Sequence, residues 1–142
     1  MKRVNAPMAV VAATLATPVV AWWATGDFSE NIDPRRADYF LPPLPLGERV
    51  ELGLGLGASV VAGASLVVLA VATRRRSVDR TWWAVLVPLL VVGAFCGWAY
   101  RVMSAAVSGA NIGAGFLLMV GPFLVVPALA RSARNWHTIT DR

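Results

Sequence analysis

Uncharged stretches long enough to cross a lipid bilayer dominate this sequence. Residues 52–73 form the clearest one, with 22 residues that carry no charged side chain before the three arginines that begin at Arg74. As a helix rising about 1.5 Å per residue, this stretch would extend ~33 Å, which matches the ~30 Å thickness of the hydrocarbon core. Residues 52–73 are therefore predicted to form a transmembrane helix.

Three further stretches have the same character. Residues 7–25 carry Trp22 and Trp23 near one end, and aromatic residues flank both ends of 81–102, as is typical of side chains at the membrane interfaces. The 29 uncharged residues of 102–130 would reach ~44 Å as one helix, so a turn is expected near their start. The predicted helices are therefore residues 7–25, 52–73, 81–102 and 111–130, with 131–142 as a polar tail.

The first predicted helix also has features of a cleavable signal peptide, because Lys2 and Arg3 precede an apolar stretch that contains small residues near its end. Its uncharged length of about 19 residues exceeds the usual 7–15 of a signal core, and the bulky Trp22 suits an interface. A retained helix is therefore predicted. Pro18 within it should cause a kink and leave the carbonyl of Thr14 without its usual partner.

The long polar segment, residues 26–51, separates the first two predicted helices. It contains six acidic residues and three arginines, and its prolines Pro42, Pro43 and Pro45 forbid a regular helix. We expect an extended, polyproline-like path along the outer membrane surface. A proline-stiffened loop and a docking segment for a partner are both consistent with this composition.

The distribution of basic residues predicts the orientation of the helices. If both termini are cytoplasmic, nine of the thirteen basic residues lie in the cytoplasm and six of the eight acidic residues lie outside. This agrees with the enrichment of Lys and Arg in cytoplasmic loops. The single lysine against twelve arginines, with abundant Ala, Val, Gly and Leu, is typical of a GC-rich bacterial genome. A multi-pass protein of the bacterial inner membrane is therefore expected.

The composition fits a membrane protein, since 57% of the residues are hydrophobic and 15% are charged, against about 25% charged in soluble domains. We expect a single all-α membrane domain over residues 1–142, folded as a four-transmembrane-helix bundle with one long outer loop. Glycine pairs four residues apart let helices approach closely in lipid. They are expected to pack the bundle, with oligomerisation as the alternative role. The pairs are Gly53 and Gly57, Gly93 and Gly97, and Gly109 and Gly113.

The sequence offers little for cofactor or catalytic chemistry. The basic residues flank the spans, which explains the net charge of +5 without a nucleic-acid partner. The only histidine, His137, lies in the tail and the only cysteine is Cys96, so haem between the helices, a disulfide and a cysteine-rich metal site are not expected. Every acidic residue lies in a loop or the tail. No cofactor, metal or enzymatic activity is predicted.

Arg101 is the ionisable residue that comes closest to the interior of a predicted span. Its head group is expected either to reach interfacial water or to pair with an outer acidic residue, which would tie the outer loop over the last two helices. The candidate partners are Asp38, Glu48 and Glu51. Asn111 would join this arrangement by hydrogen bonding. If the chain alone binds an anion or a lipid head group, Arg101 and Asn111 are expected to hold it.

Three functions fit these features, and the partners that they imply are the lipid bilayer, a membrane complex or further copies of the chain. The first is a non-enzymatic accessory subunit that acts through helix packing and its outer loop. The second is a small transporter or channel built from several copies, whose path would need polar side chains. The candidates are Ser59, Ser65, Cys96, Ser104, Ser108 and Asn111. The third, a lipid-active enzyme, is weakest because no catalytic spacing is recognisable.

Overall fold

A computed structural model of the protein describes residues 6–29, 37–108 and 111–140, without the side chains of Asp38, Ser108 and Thr140. Within these residues, four helices are long and apolar enough to cross a membrane, which confirms the predicted all-α, multi-pass class. The helices are α1 (Ala6–Thr25), α2 (Glu48–Arg74), α3 (Thr81–Met103) and α4 (Ile112–Thr140). Two short strands, β1 (Ala37–Asp38) and β2 (Val107–Ser108), pair antiparallel between the connecting segments.

The four helices of the predicted bundle are arranged as an open row. α1 packs against both α2 and α3, and α3 packs against α4, whereas in the described part of the chain the backbone of α2 does not come close to that of α3 or α4. α2 and α4 are therefore the two edges of the row. Side chains do join α2 to α3, since Trp83 Nε1 donates to Thr73 Oγ1 at 3.0 Å. The start of α1, the α2–α3 turn and the end of α4 lie at one end, which we call the terminal end. The α1–α2 and α3–α4 connections lie at the opposite end, the loop end.

The contact between α1 and α3 brings the two backbones together at a pair of predicted packing glycines. A Cβ atom added to Gly93 would lie 3.1 Å from Cδ of Pro18 and 3.5 Å from the carbonyl oxygen of Thr14. One added to Gly97 would overlap the Pro18 carbonyl and lie 2.9 Å from the backbone nitrogen of Trp22. Pro18 has no N–H, so the Thr14 carbonyl loses its helical partner. The missing side chain of Gly93 lets α3 cover that carbonyl closely.

A different glycine from the predicted pair packs α2 onto α1. A Cβ atom added to Gly55 would overlap the indole ring of Trp23. Gly53 and Gly57 lie on the other side of α2, where an added Cβ would meet nothing within 4 Å. Each is two residues from Gly55, and two residues turn a helix by about 200°. Within the single chain, Gly53 and Gly57 therefore make no contact between helices.

Two glycines bring α4 close to α3. An added Cβ on Gly113 would lie 2.9 Å from Cγ1 of Val102, and one on Gly121 would lie 3.1 Å from Cε1 of Phe95. Gly109, the predicted partner of Gly113, lies outside the described residues. Small side chains on α4 thus meet larger ones on α3, which lets the two helices pack closely.

Two helices are longer than the sequence predicted. α2 begins at Glu48 rather than at residue 52, because an uncharged run marks the bilayer and not the whole helix. Glu48 and Glu51 lie in its first turn, where carboxylates interact favourably with the helix dipole. The outer loop therefore ends at Gly47. α4 continues to Thr140, so most of the predicted polar tail is helical.

The extension of α4 is docked on α3 by two side-chain hydrogen bonds. Ser132 Oγ donates to the carbonyl oxygen of Val85 at 3.0 Å, and Asn135 Nδ2 donates to that of Ala84 at 2.9 Å. Pro88 explains the second bond, because a proline cannot donate to the carbonyl four residues before it. Asn135 therefore supplies a donor to a backbone group that α3 itself cannot satisfy, as burial in lipid requires.

The apolar core of the terminal end joins the first three helices. Val10 and Ala13 of α1 pack in one buried cluster with Leu69 of α2 and Leu86 of α3. Ala6, Ala72 and Val78 complete this cluster. Small and branched side chains thus fill the space on both sides of α1, which fixes α1 as the central helix of the three.

Replacing Gly97 with leucine should destabilise the protein by ~1–3 kcal/mol, because the new side chain would collide with the α1 backbone at Pro18. Gly63→Leu is the matched control, since an added Cβ there meets nothing within 4 Å. Thermal unfolding of both variants in the same detergent measures the difference. Equal stability of the two variants would contradict the close crossing.

A double-mutant cycle tests whether Asn135 stabilises the fold by donating to the Ala84 carbonyl that Pro88 leaves without a donor. Asn135→Ala should cost ~0.6–1.7 kcal/mol of stability, the range measured for hydrogen bonds between membrane helices. In a Pro88→Ala background the cost should fall, because residue 88 then donates to the Ala84 carbonyl itself. An unchanged cost in both backgrounds, measured by denaturant unfolding, would show that Asn135 does not serve this carbonyl.

Candidate functional site at the loop end

A cluster of charged and aromatic side chains joins three helices at the loop end. Arg101, in the last turn of α3, forms an ion pair with Glu51 in the first turn of α2. The same guanidinium carbon lies 4.7 Å from the ring centroid of Trp22 on α1. We call Arg101, Glu51, Trp22 and the neighbouring Asp27 the loop-end cluster. Because the backbones of α2 and α3 stay apart, this ion pair joins the two helices by their side chains across the end of α1.

The surroundings of Arg101 make its charge costly to leave unpaired. Its side chain is 15% exposed and that of Glu51 is 26% exposed. The stacking on Trp22 is of the cation–π type, which contributes about 0.5–2 kcal/mol depending on solvation. The buried Nε of Arg101 has no hydrogen-bond partner within the described residues. Glu51 and Trp22 therefore carry most of the compensation for the burial of this cation.

Asp27 brings a second carboxylate to the cluster from the segment that follows α1. Its Oδ1 accepts hydrogen bonds from Ser29 N at 3.0 Å and from Ser29 Oγ at 2.7 Å. These bonds lower the pKa of Asp27 below its ordinary value, the side-chain bond most strongly, and the charge of Arg101 adds a smaller effect in the same direction. Ser29 Oγ also accepts a bond from Ala106 N at 3.0 Å. Asp27 is thus linked to the α3–α4 connection.

The proline-rich part of the outer loop is fastened over the end of α3. Leu41 N donates to the carbonyl oxygen of Met103 at 3.0 Å, and the Tyr100 hydroxyl donates to that of Pro42 at 3.2 Å. Just before it, β1 pairs with β2. We call residues 39–46 the strap. The strap bends at Phe40 and Leu41 and turns again where Leu46 N donates to the Leu44 carbonyl at 2.8 Å, so the extended path expected from the sequence is interrupted. It leaves Phe40 and Leu44 half exposed.

The two residues predicted to share a site have different hydrogen-bond partners in the structure. Arg101 pairs with Glu51, which belongs to α2 rather than to the loop, whereas Asn111 caps α4 by accepting from Ala114 N at 2.9 Å. Asn111 Nδ2 donates to the carbonyl oxygen of Val102 at 3.0 Å. Both side chains therefore act in holding helix ends. An anion at Arg101 would have to compete with Glu51 and would meet the charge of Asp27, so the geometry favours pairing over anion binding.

An open cavity of about 370 Å³ lies beside the cluster. Three carboxylates and one guanidinium line it, from Asp27, Glu48, Glu51 and Arg101. The balance of charge inside it is negative, which suits water or a cationic group of a neighbouring chain better than an anion. In the part of the chain that the structure describes, no three acidic, histidine or cysteine side chains are placed to hold a metal ion.

Some of the polar residues proposed for a transport path, among those that the structure describes, form hydrogen bonds within their own helix. Ser59 donates to the carbonyl of Gly55 in its own helix, and Ser104 donates weakly to that of Arg101. Cys96 is exposed on α3 and lines a cavity together with Leu54 of α2. The side chain of Ser108 is outside the described set.

Sequence reasoning missed the roles of Trp22, Asp27 and Ser29. Trp22 fits an interfacial tryptophan equally well, and nothing in the sequence indicates that it lies beneath Arg101. Asp27 and Ser29 did carry a local signal, because an acidic residue two positions before a serine favours a hydrogen-bonded turn. The preceding Gly26 has a φ of +74° and donates to the Trp23 carbonyl, which ends α1 at this point.

Glu51→Gln should destabilise the protein more than Glu48→Gln, because only the first removes the partner of a mostly buried guanidinium. Loss of a charged hydrogen-bond partner at such a site costs about 1–3 kcal/mol. Glu48 is the matched control, since it lies in the same turn, lines the same cavity and is exposed. Thermal unfolding of both variants tests the comparison, and a larger loss for Glu48→Gln would contradict the assigned pairing.

The comparisons with known proteins leave the interpretation of the cluster to its own geometry. No protein-family model, curated protein or solved structure matches this chain. The contacts described above connect α1, α2 and α3 at one end and fasten the strap across it. They are the contacts of a site that holds helices and a surface segment in fixed positions.

Proposed function

We propose that this chain is a non-enzymatic accessory subunit of a larger complex in the bacterial inner membrane. It contacts its partner through the free face of α2 within the bilayer and through the strap at the membrane surface. The loop-end cluster fixes the position of the strap relative to the free face of α2. The terminal end faces the cytoplasm, because nine of the thirteen basic residues belong to the segments at that end.

The observation that carries this proposal is the position of Gly53 and Gly57. Both lie on the free face of α2, the edge helix with the smallest buried share of the four spans. Lipid provides little hydrophobic drive for association, so helices in membranes associate where small residues let their backbones approach. A glycine pair one turn apart on an unoccupied helix face is well suited to receive a helix of another subunit.

The strap gives the proposal a second surface outside the bilayer. Phe40 is 50% exposed and Leu44 is 54% exposed, although the backbone beside them is tied to α3. Prolines restrict the strap further, and a restricted segment loses little conformational entropy when it binds. Exposed apolar side chains on a fixed backbone favour docking of a protein partner over a loop that serves only as a connection.

The mass of the complex after gentle extraction tests the proposal. We expect the wild-type chain to be found with a heterologous partner. Gly57→Leu should release the chain as a monomer with an unchanged midpoint of thermal unfolding, because a Cβ at this position meets nothing in the chain itself. Gly55→Leu should instead lower the unfolding midpoint, because Trp23 occupies the space that the new side chain needs.

Gly115→Leu on α4 is the control for a general effect of leucine, since Gly115 is equally open but has no glycine one turn away. It should leave the assembly intact. A defined homo-oligomer that Gly57→Leu dissociates would instead support the alternative function, a transporter or channel built from several copies. A wild-type monomer, or a complex that survives Gly57→Leu, would overturn the proposal.

A further inference from the structure

A groove between α3 and α4 is lined mainly by apolar side chains and has one cationic side chain at its end. It has a volume of about 420 Å³, within the range of small-molecule sites. Pro88 and Val91 of α3 line it together with Pro127 and Ala128 of α4, and Arg131 lies at its end. From Ala84 to Val91 the groove follows α3 for seven residues, or ~10 Å along the helix axis.

The hydrogen bond of the adjacent Ser132 indicates how deep Arg131 lies in the membrane. Ser132 donates to the carbonyl oxygen of Val85, so Arg131 lies about one turn from the start of α3 at Thr81. Trp82 and Trp136 meet edge to face at this level, with ring centroids 5.6 Å apart. Tryptophans mark the interface between hydrocarbon and head groups. The guanidinium of Arg131 is thus placed at head-group depth while the groove extends into the hydrocarbon.

The terminal end carries a strong excess of positive charge. Among the described residues at that end, six arginines stand against one acidic residue, Asp79. The arginines are Arg74, Arg75, Arg76, Arg80, Arg131 and Arg134. Such a surface attracts anionic head groups, with each cation near the membrane contributing about 1 kcal/mol. A lipid whose head group is zwitterionic carries its own cation and gains less from this field.

We infer that this groove binds an anionic phospholipid, with one acyl chain along Pro88 and Pro127 and the phosphate on Arg131. The planar guanidinium can donate two parallel hydrogen bonds to phosphate oxygens, a geometry that a lysine cannot reproduce. The prolines and the small Ala128 leave the space for the chain between the two helices. This inference does not depend on the accessory-subunit proposal, since the groove lies on α3 and α4 and not on α2.

Native mass spectrometry of the purified full chain tests the site, using phosphatidylglycerol and phosphatidylcholine with identical acyl chains. The wild type should bind phosphatidylglycerol about fivefold more tightly, the factor that corresponds to one interfacial cation. Arg131→Gln should abolish most of this preference, and Arg131→Lys should retain part of it. Arg134→Gln is the matched control, because it removes the same charge from an exposed position that does not line the groove. Its effect should be clearly smaller than that of Arg131→Gln, because Arg134 contributes only to the general attraction and not to the phosphate contact in the groove.

A second variant tests the chain-binding part without changing any charge. Ala128→Leu fills the groove and should weaken the binding of both lipids. Equal losses for Arg131→Gln and Arg134→Gln would overturn the site in favour of diffuse attraction. Equal binding of the two lipids by the wild type would show that Arg131 does not select an anionic head group. Displacement of phosphatidylglycerol by millimolar inorganic phosphate would show a simple anion site, and full binding by Ala128→Leu would exclude the groove.

Discussion

One turn of α1, residues 18–23, makes the contacts on which the rest of the structure depends. The Pro18 carbonyl lies against Gly97 of α3, and Trp23 lies against Gly55 of α2. Trp22, between them, stacks under the guanidinium of Arg101. Because the backbones of α2 and α3 do not come close to each other, their relative position depends mainly on these contacts with α1, supported by the side-chain pairs Glu51–Arg101 and Thr73–Trp83. In lipid, where apolar surface gains little from association, such close contacts must supply most of the packing energy.

Prolines within the helices show how the row satisfies its own backbone. A proline leaves a carbonyl without a donor, and hydrocarbon offers no water to replace it. At the Pro88 break the neighbouring helix supplies a side-chain donor from Asn135. At the Pro18 break, Gly93 of the neighbouring helix packs close to the Thr14 carbonyl, which has lost its donor. At Pro18 and Pro88, the position that weakens a single helix is therefore also a position where two helices join.

Much of the helical architecture could be predicted from the sequence, because the thickness of a bilayer sets the length of an uncharged run. Arg101 was also a predictable point of charge pairing, since a cation so near a span requires compensation. The predictions failed where they depended on which side of a helix meets a neighbour. Glycine spacing shows that α2 can be approached closely, but it does not distinguish Gly55 from the open pair Gly53 and Gly57. The same limit explains why the order of the helices in the row could not be predicted.

The central position of α1 can be tested by cross-linking in native membranes, because Cys96 is the single cysteine of the chain. Val19 of α1 and Cys96 of α3 line one cavity, so Val19→Cys should cross-link to Cys96 with a short bifunctional thiol reagent. Val60→Cys, on the exposed face of α2, should not cross-link to Cys96 within the same chain. Efficient intrachain cross-linking from residue 60, with none from residue 19, would contradict an arrangement in which α1 separates α2 from α3.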